Sequence, residues 1–142
     1  MSLAENKLLV RRYYEEVVST GDTSSITSFL SPQYTEVHEG KRYAIGIDGA
    51  IAHLAGVRAT YRDLLVVVEQ QIAEGEWVAS TVRVTGVHEG EWIGIRPTGL
   101  PVAFTGVNLD RVVDGRIVEH GGAANLLGPL LEIGAVRVVG GA

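Results

Sequence analysis

Asp114 and Gly115 restrict this chain more than any other pair. They stand between the extended segments 109–113 and 117–118. A two-residue Asp-Gly connection there predicts a type I′ hairpin, because both central positions need positive φ. The hairpin closes a longer extended stretch, 82–124, broken by a Pro97-Thr98-Gly99 loop. Upstream, 64–68 with Ile72 reads as a long strand, Glu74-Gly75 as a turn and 77–87 as the antiparallel partner. Such a meander lays one face on a core and leaves the other to solvent or a partner.

Helical signals precede the strands. Ser2 and Glu5 have capping-box spacing. Leu9, Val10, Tyr13, Tyr14, Val17 and Val18 then predict a helix of about four turns, stopped at Gly21, with only one of the two tyrosines facing the core. Asp22 is placed to cap a short second helix carrying Ile26, Phe29 and Leu30, which Ser31-Pro32 ends. Residues 34–38 read as a brief strand and 39–43 as a charged loop. Asp48 is placed to cap a third helix through Ile51 and Leu54 to about Ala59. Leu126, Leu127, Leu130 and Leu131 predict a terminal helix started or kinked at Gly128-Pro129, followed by an edge strand or frayed tail over 136–142. Three helices and four to six strands make a single α+β domain over 1–142, with the helices gathered on one sheet face.

A chain of 142 residues with 46% hydrophobic and 20% charged residues should bury roughly two-thirds of its unfolded surface. Its net charge of −5 argues against nucleic acid and anionic membranes as partners. Cysteine is absent, which excludes disulfides, a thiolate nucleophile and Cys-ligated metals. No apolar run is long enough to span a bilayer and no signal-peptide h-region opens the chain, so a soluble, cytoplasmic protein is expected.

Neither a Gly-x-Ser-x-Gly elbow nor a phosphate-binding glycine loop occurs. The histidines, His38, His53, His88 and His120, lack the His-x-His or His-x-x-x-His spacing of a metal site, and no metal is expected. His38 and His120 end predicted strands. In a strand, residues two apart share a face, so His120 and Glu119 point oppositely and only one faces inward. By the same parity Asn108 joins Phe104 and Gly106, and an amide on an apolar face needs a partner, either a ligand carbonyl or a neighbouring side chain. Glu36, Glu69, Asp110 and Glu119 are strand acids that can also face inward. Gly121-Gly122-Ala123-Ala124 marks either a bulge or an open cavity wall. Trp92 is suited to a pocket mouth or a subunit contact.

Taken together, Gly86-Val87-His88-Glu89-Gly90, Gly94-Ile95-Arg96-Pro97-Thr98-Gly99, Phe104-Thr105-Gly106 and the run from Asp114 to His120 resemble the SnoaL-like polyketide cyclases. The Tyr13-Tyr14 helix ending in Thr20-Gly21-Asp22 and Tyr61-Arg62-Asp63-Leu64 agree, and the likeness runs the length of the chain. It implies a cone-shaped α+β barrel, as in ketosteroid isomerases and nuclear transport factor two: a strongly curved, mainly antiparallel sheet around N-terminal helices, with an apolar pocket. It also implies a homodimer or homotetramer built on the outer sheet face. Family cyclases close a ring by intramolecular aldol condensation without metal or organic cofactor, using an aspartate after a Glu-His-Trp segment. Glu119 and His120 match that segment, whereas the Trp and Asp positions fall on Gly121 and Gly122, a further frequent Asp on Asn125, and a family histidine on Asn108. His120 or His38 is then expected to act as base with Asn108 steadying an oxyanion, and Tyr14, His53, Trp92, Phe104, Gly122 and Asn125 to contact a small hydrophobic carbonyl compound. The alternative is a pocket that binds such a molecule without chemistry, because glycine stands where the acid should be.

Overall fold

In the computed structural model, which describes residues 1–140, three helices lie against a six-stranded sheet. Helix α1 (Leu3–Arg12) opens with the capping box: the Ser2 hydroxyl accepts from the Glu5 amide at 3.1 Å and the Glu5 carboxylate from the Ser2 amide at 2.7 Å. The helix does not continue as α. Tyr13–Val18 is a π-helical turn, closed by the Ser19 amide on the Tyr14 carbonyl five residues back. The wider turn rotates adjacent side chains by less than an α-turn would, so Tyr13 and Tyr14 are both buried facing the sheet, contrary to the expectation of one.

The second helix reduces to one 3₁₀ turn, Ile26–Ser28, and Asp22 instead accepts from the Ser24 amide. Strand β1 (Leu30–His38) runs straight through Pro32, which lies where the pairing register shifts between Leu30 and Thr35 and no ladder donor is needed. The expected charged loop is a hairpin. Glu39 and Gly40 both have positive φ, 51° and 76°, and turn the chain into β2 (Lys41–Ala44). Glutamate is uncommon in that conformation, so composition hid the turn. Gly40 has φ +76° with nothing within 4 Å of a built Cβ. Gly40→Ala should therefore lower stability by about 1 kcal/mol through backbone strain alone, measurable as a shifted urea midpoint at unchanged slope.

Helix α2 (Gly46–Thr60) starts without a side-chain cap, Asp48 lying in its first turn rather than at its end. Strands β3 (Tyr61–Glu74), β4 (Trp77–His88), β5 (Pro101–Val113) and β6 (Arg116–Ala124) form the meander, with Asp114 and Gly115 at φ 49° and 72° in the last hairpin. The order is β2-β1-β6-β5-β4-β3, antiparallel throughout except that β1 runs parallel to β6. Helix α2 packs against both β1 and β3, which lie near opposite ends of that order, so the sheet must curl around it. Register shifts in β1, β3 and β5–β6 supply the bends. Helix α3 (Leu127–Glu132) follows, with Pro129 in its first turn, where a missing N–H is harmless. Residues 136–140 form no strand, and the last two residues lie outside the described part. Among the described residues no helix is long and apolar enough to cross a membrane.

Candidate active site

Strand pairing assembles one row of side chains. Glu36 on β1 is the cross-strand partner of His120 on β6, and His120 is the partner of Asp110 on β5. Directly opposed residues share a sheet face, so these three groups line up on the side that faces the helices. The next row on that face pairs Gly122 with Asn108 and Asn108 with Ser80.

Asp110 is fully buried and is bound by two neighbours. Its Oδ1 lies 2.7 Å from His120 Nδ1, and its Oδ2 accepts a short hydrogen bond from the Tyr14 hydroxyl, which also lies 3.3 Å from His120 Nδ1. The π-turn is what delivers Tyr14 to this point. Burial, reinforced by the Asp110 carboxylate, holds the Tyr14 phenol well above its ordinary pKa, so it remains a donor. Burial alone would lower the basicity of His120. The charge and hydrogen bond of Asp110, with a further contribution from Glu36, outweigh it and leave the imidazole pKa raised. Among the described residues no hydrogen bond occupies His120 Nε2, and the side chain is 25% exposed.

A second imidazole–carboxylate pair faces the first. His53 on α2 holds Nδ1 at 2.9 and 2.8 Å from the two oxygens of Glu36, and the Tyr34 hydroxyl donates to Glu36 at 3.1 Å. Burial raises the Glu36 pKa, but the hydrogen bond and charge of His53, with His120 and Tyr34, reverse the sign and leave it lowered. Its hydrogen bond to Glu36 raises His53 above its ordinary value, against burial and the nearby His120 charge.

These groups border a cavity of about 180 Å³ whose remaining walls are largely aliphatic and aromatic: Val18, Leu54, Val66, Val82, Val84 and Phe104. A more open hollow adjoins it, walled by Gly121, Gly122, Ala123 and Leu126. Glu36, His53, Val57, Asn108, His120 and Ala124 border both spaces. The polar groups thus form a neck between an apolar interior and an outer vestibule. A small molecule entering this way would carry an apolar body inward and stop with its polar atoms at the neck.

Several of the sequence expectations meet here. Tyr14, His53, Phe104, Asn108 and His120 line the cavity, and His120 rather than Glu119 turns inward. Glu119 is buried on the opposite side against Arg42. His38 is the last residue of β1, and its 77% exposed side chain, next to Glu39, borders the vestibule but not the inner cavity. Trp92 is buried within the 89–100 loop against Tyr61, His88 and Phe104, supporting the cavity wall from behind rather than guarding the mouth. Asn125 is exposed and turned toward Thr105, away from the cavity. Gly122 borders only the vestibule. His88 is fully buried, its Nδ1 3.0 Å from the Thr98 hydroxyl and accepting from the Thr98 amide at 3.3 Å.

Asp110 and Glu36 are the groups that sequence reasoning undervalued. Strand parity already grouped Asp110 with Asn108, Gly106 and Phe104, but four strand acids satisfied that kind of test. The structure also explains why residue 122 is glycine. A Cβ built there lies 2.6 Å from both the Val107 carbonyl oxygen and Asn108 Oδ1, leaving no room for a side chain on this backbone. A carboxylate still supports His120 from behind, supplied by Asp110 of β5.

Comparison with known proteins places this geometry in context. The profile of the SnoaL-like polyketide cyclases matches residues 8–133. The nogalonic acid methyl ester cyclase of Streptomyces nogalater is 30% identical over 125 residues, covering 82% of this chain and 88% of the relative. The aklanonic acid methyl ester cyclase of Streptomyces galilaeus is 28% identical, covering 83% of each. Among solved structures, AclR of Streptomyces galilaeus, for which hydroxylation is proposed, superposes with a TM-score of 0.81 at 30% identity, covering 97% of this chain and 90% of AclR. A SnoaL-like polyketide cyclase structure from Jannaschia gives 0.81 at 28% identity, covering 94% of each chain. The chain therefore belongs to the SnoaL-like polyketide cyclase family.

Proposed function

We propose that this protein is a cofactor-independent enzyme that removes a proton alpha to a carbonyl of a hydrophobic substrate, in an intramolecular aldol ring closure of an aromatic polyketide ester. The observation that carries this reading is the Asp110–His120 pair at the neck of an apolar cavity. A carboxylate on Nδ1 fixes the tautomer and orientation of an imidazole, leaving Nε2 to exchange a proton with a substrate. His120 Nε2 takes the proton, and the enolate forms with its oxygen near the Asn108 amide, a donor suited to developing negative charge. The apolar walls keep water from returning the proton to carbon. The relatives that cyclise nogalonic and aklanonic acid methyl esters support the choice of an ester-bearing polyketide.

The outer sheet face carries the exposed side chains Leu65, Val67, Val107 and Leu109, which suits the homodimer or homotetramer expected for the family.

Wild-type protein and His120→Ala should be assayed against aklanonic acid methyl ester across pH. Turnover should be present in the wild type, rise with pH as His120 deprotonates, and fall about 10²–10⁴-fold on substitution. Equal inertness of both proteins, with ligand still perturbing Trp fluorescence, would instead identify a pocket that binds without catalysis.

A further inference from the structure

The Asp110–His120 pair accounts for removing a proton. Ring closure also requires one to be delivered, because carbon–carbon bond formation turns the accepting carbonyl into an alkoxide. Two features of the neck bear on that second transfer. His53 and His120 have the same arrangement, with Nδ1 held by a carboxylate and Nε2 free of hydrogen bonds among the described residues. They differ in exposure. Both imidazoles border the cavity and the vestibule, but Asp110 is fully buried and His120 25% exposed, whereas His53 is 57% exposed. Glu36 and His120 are cross-strand partners, so the two imidazoles face one space from β6 and from α2.

We propose that His53, oriented by Glu36, is the acid of the reaction: it protonates the alkoxide formed at ring closure and reloads from water at the vestibule. This rests on the aldol reading above. His120 Nε2 takes the proton from the carbon alpha to one carbonyl, and the C–H electron pair becomes the enolate. The enolate carbon bonds to the second carbonyl carbon, whose C=O pair moves onto oxygen. That oxygen takes the proton from His53 Nε2. One proton has left carbon and one has reached oxygen. The site resets when His120 releases its proton and His53 gains one from solvent, and no electrons leave the substrate.

Exposure decides which pair does which. The less exposed base abstracts from carbon where the apolar walls limit quenching of the enolate by water, and the more exposed acid is recharged from solvent without crossing the cavity. The groups acting on His53 are Glu36 from β1, which favours its protonated form, and His120 from β6, which opposes it; Arg58 on the same helix is engaged elsewhere, with the Val18 and Ser19 carbonyls.

The test uses the full chain with aklanonic acid methyl ester as probe and records kcat against pH for wild type, His53→Gln and Glu36→Gln. His53→Gln should lower kcat by about 10²-fold or more, leave KM within about threefold, and abolish the descending alkaline limb while keeping the ascending one. Glu36→Gln keeps an acceptor for Nδ1 but removes the charge, so the alkaline limb should move to lower pH. If His53 only braces α2 against β1, both variants lose thermal stability and keep wild-type kcat and both limbs, which overturns the proposal while leaving the role of His120 intact. An inactive wild type overturns both.

Discussion

Asp110→Asn is expected to reduce kcat about 10²–10³-fold with little change in KM, the size of effect typical of a disabled acid–base group. Asp110 lies behind His120, so a bound substrate gains little from it directly; its contribution appears when the imidazole accepts a proton. The neutral amide cannot balance an imidazolium, and it offers one acceptor where the carboxylate receives both Tyr14 and His120. Because the His120 pKa is raised in the folded protein, its pairing contributes stability that is fully present below the ordinary imidazole pKa of about 6.5 and is lost as pH rises through the higher folded value. The variant should lose that dependence, and its ascending kcat limb should move to lower pH. Leaving a buried group imperfectly paired should also lower stability by about 1–3 kcal/mol. A pH–rate profile and a melt on the same sample check both.

The second large effect concerns Gly122, the position where the sequence resemblance implies an aspartate. Gly122→Asp restores that residue in sequence, yet it should destabilise the protein by about 1–3 kcal/mol, since overpacking against fixed backbone cannot relax by rotamer change alone. Its Cβ would press on the Val107 carbonyl oxygen and on the Asn108 side chain at 2.6 Å each. For a domain of this size the melting temperature should fall by about 4–12 °C. Activity should fall as well, because Asn108 is displaced from the neck and a second carboxylate is forced near Asp110. Higher turnover in Gly122→Asp would mean that Asp110 is not the working carboxylate of the site, and a melt at the wild-type temperature would mean the backbone gives way at no cost.

Features governed by neighbours in the chain were legible in the sequence. The Ser2–Glu5 capping box, the Asp114-Gly115 hairpin and the alternation that put Phe104, Gly106 and Asn108 on one face all depend on residues a few positions apart. The site depends on pairings between distant segments. Glu36 meets His120 only because β1 runs parallel to β6, and parallel pairing leaves no turn signature to read. Asp110 was one of four strand acids, and alternation separates the two faces without saying which is concave. The π-turn that brings Tyr14 to Asp110 follows an ordinary helical pattern, and nothing in Tyr13-Tyr14-Glu15-Glu16 announces the wider winding. Gly122, read as a missing acid, is in the fold a position whose Cβ space Asn108 and the Val107 carbonyl occupy, beside an acid supplied from the next strand.

The central claim is that His120, held by Asp110, removes a proton from carbon inside this cavity. Deuterium incorporation at the carbon alpha to the ketone of aklanonic acid methyl ester, followed by NMR in heavy water, reads that step without requiring ring closure. Wild-type protein should accelerate exchange well above buffer, with His120→Ala and Asp110→Asn each slower by about 10²-fold or more. Exchange at the buffer rate with wild type, or at an unchanged rate with His120→Ala, would contradict the account.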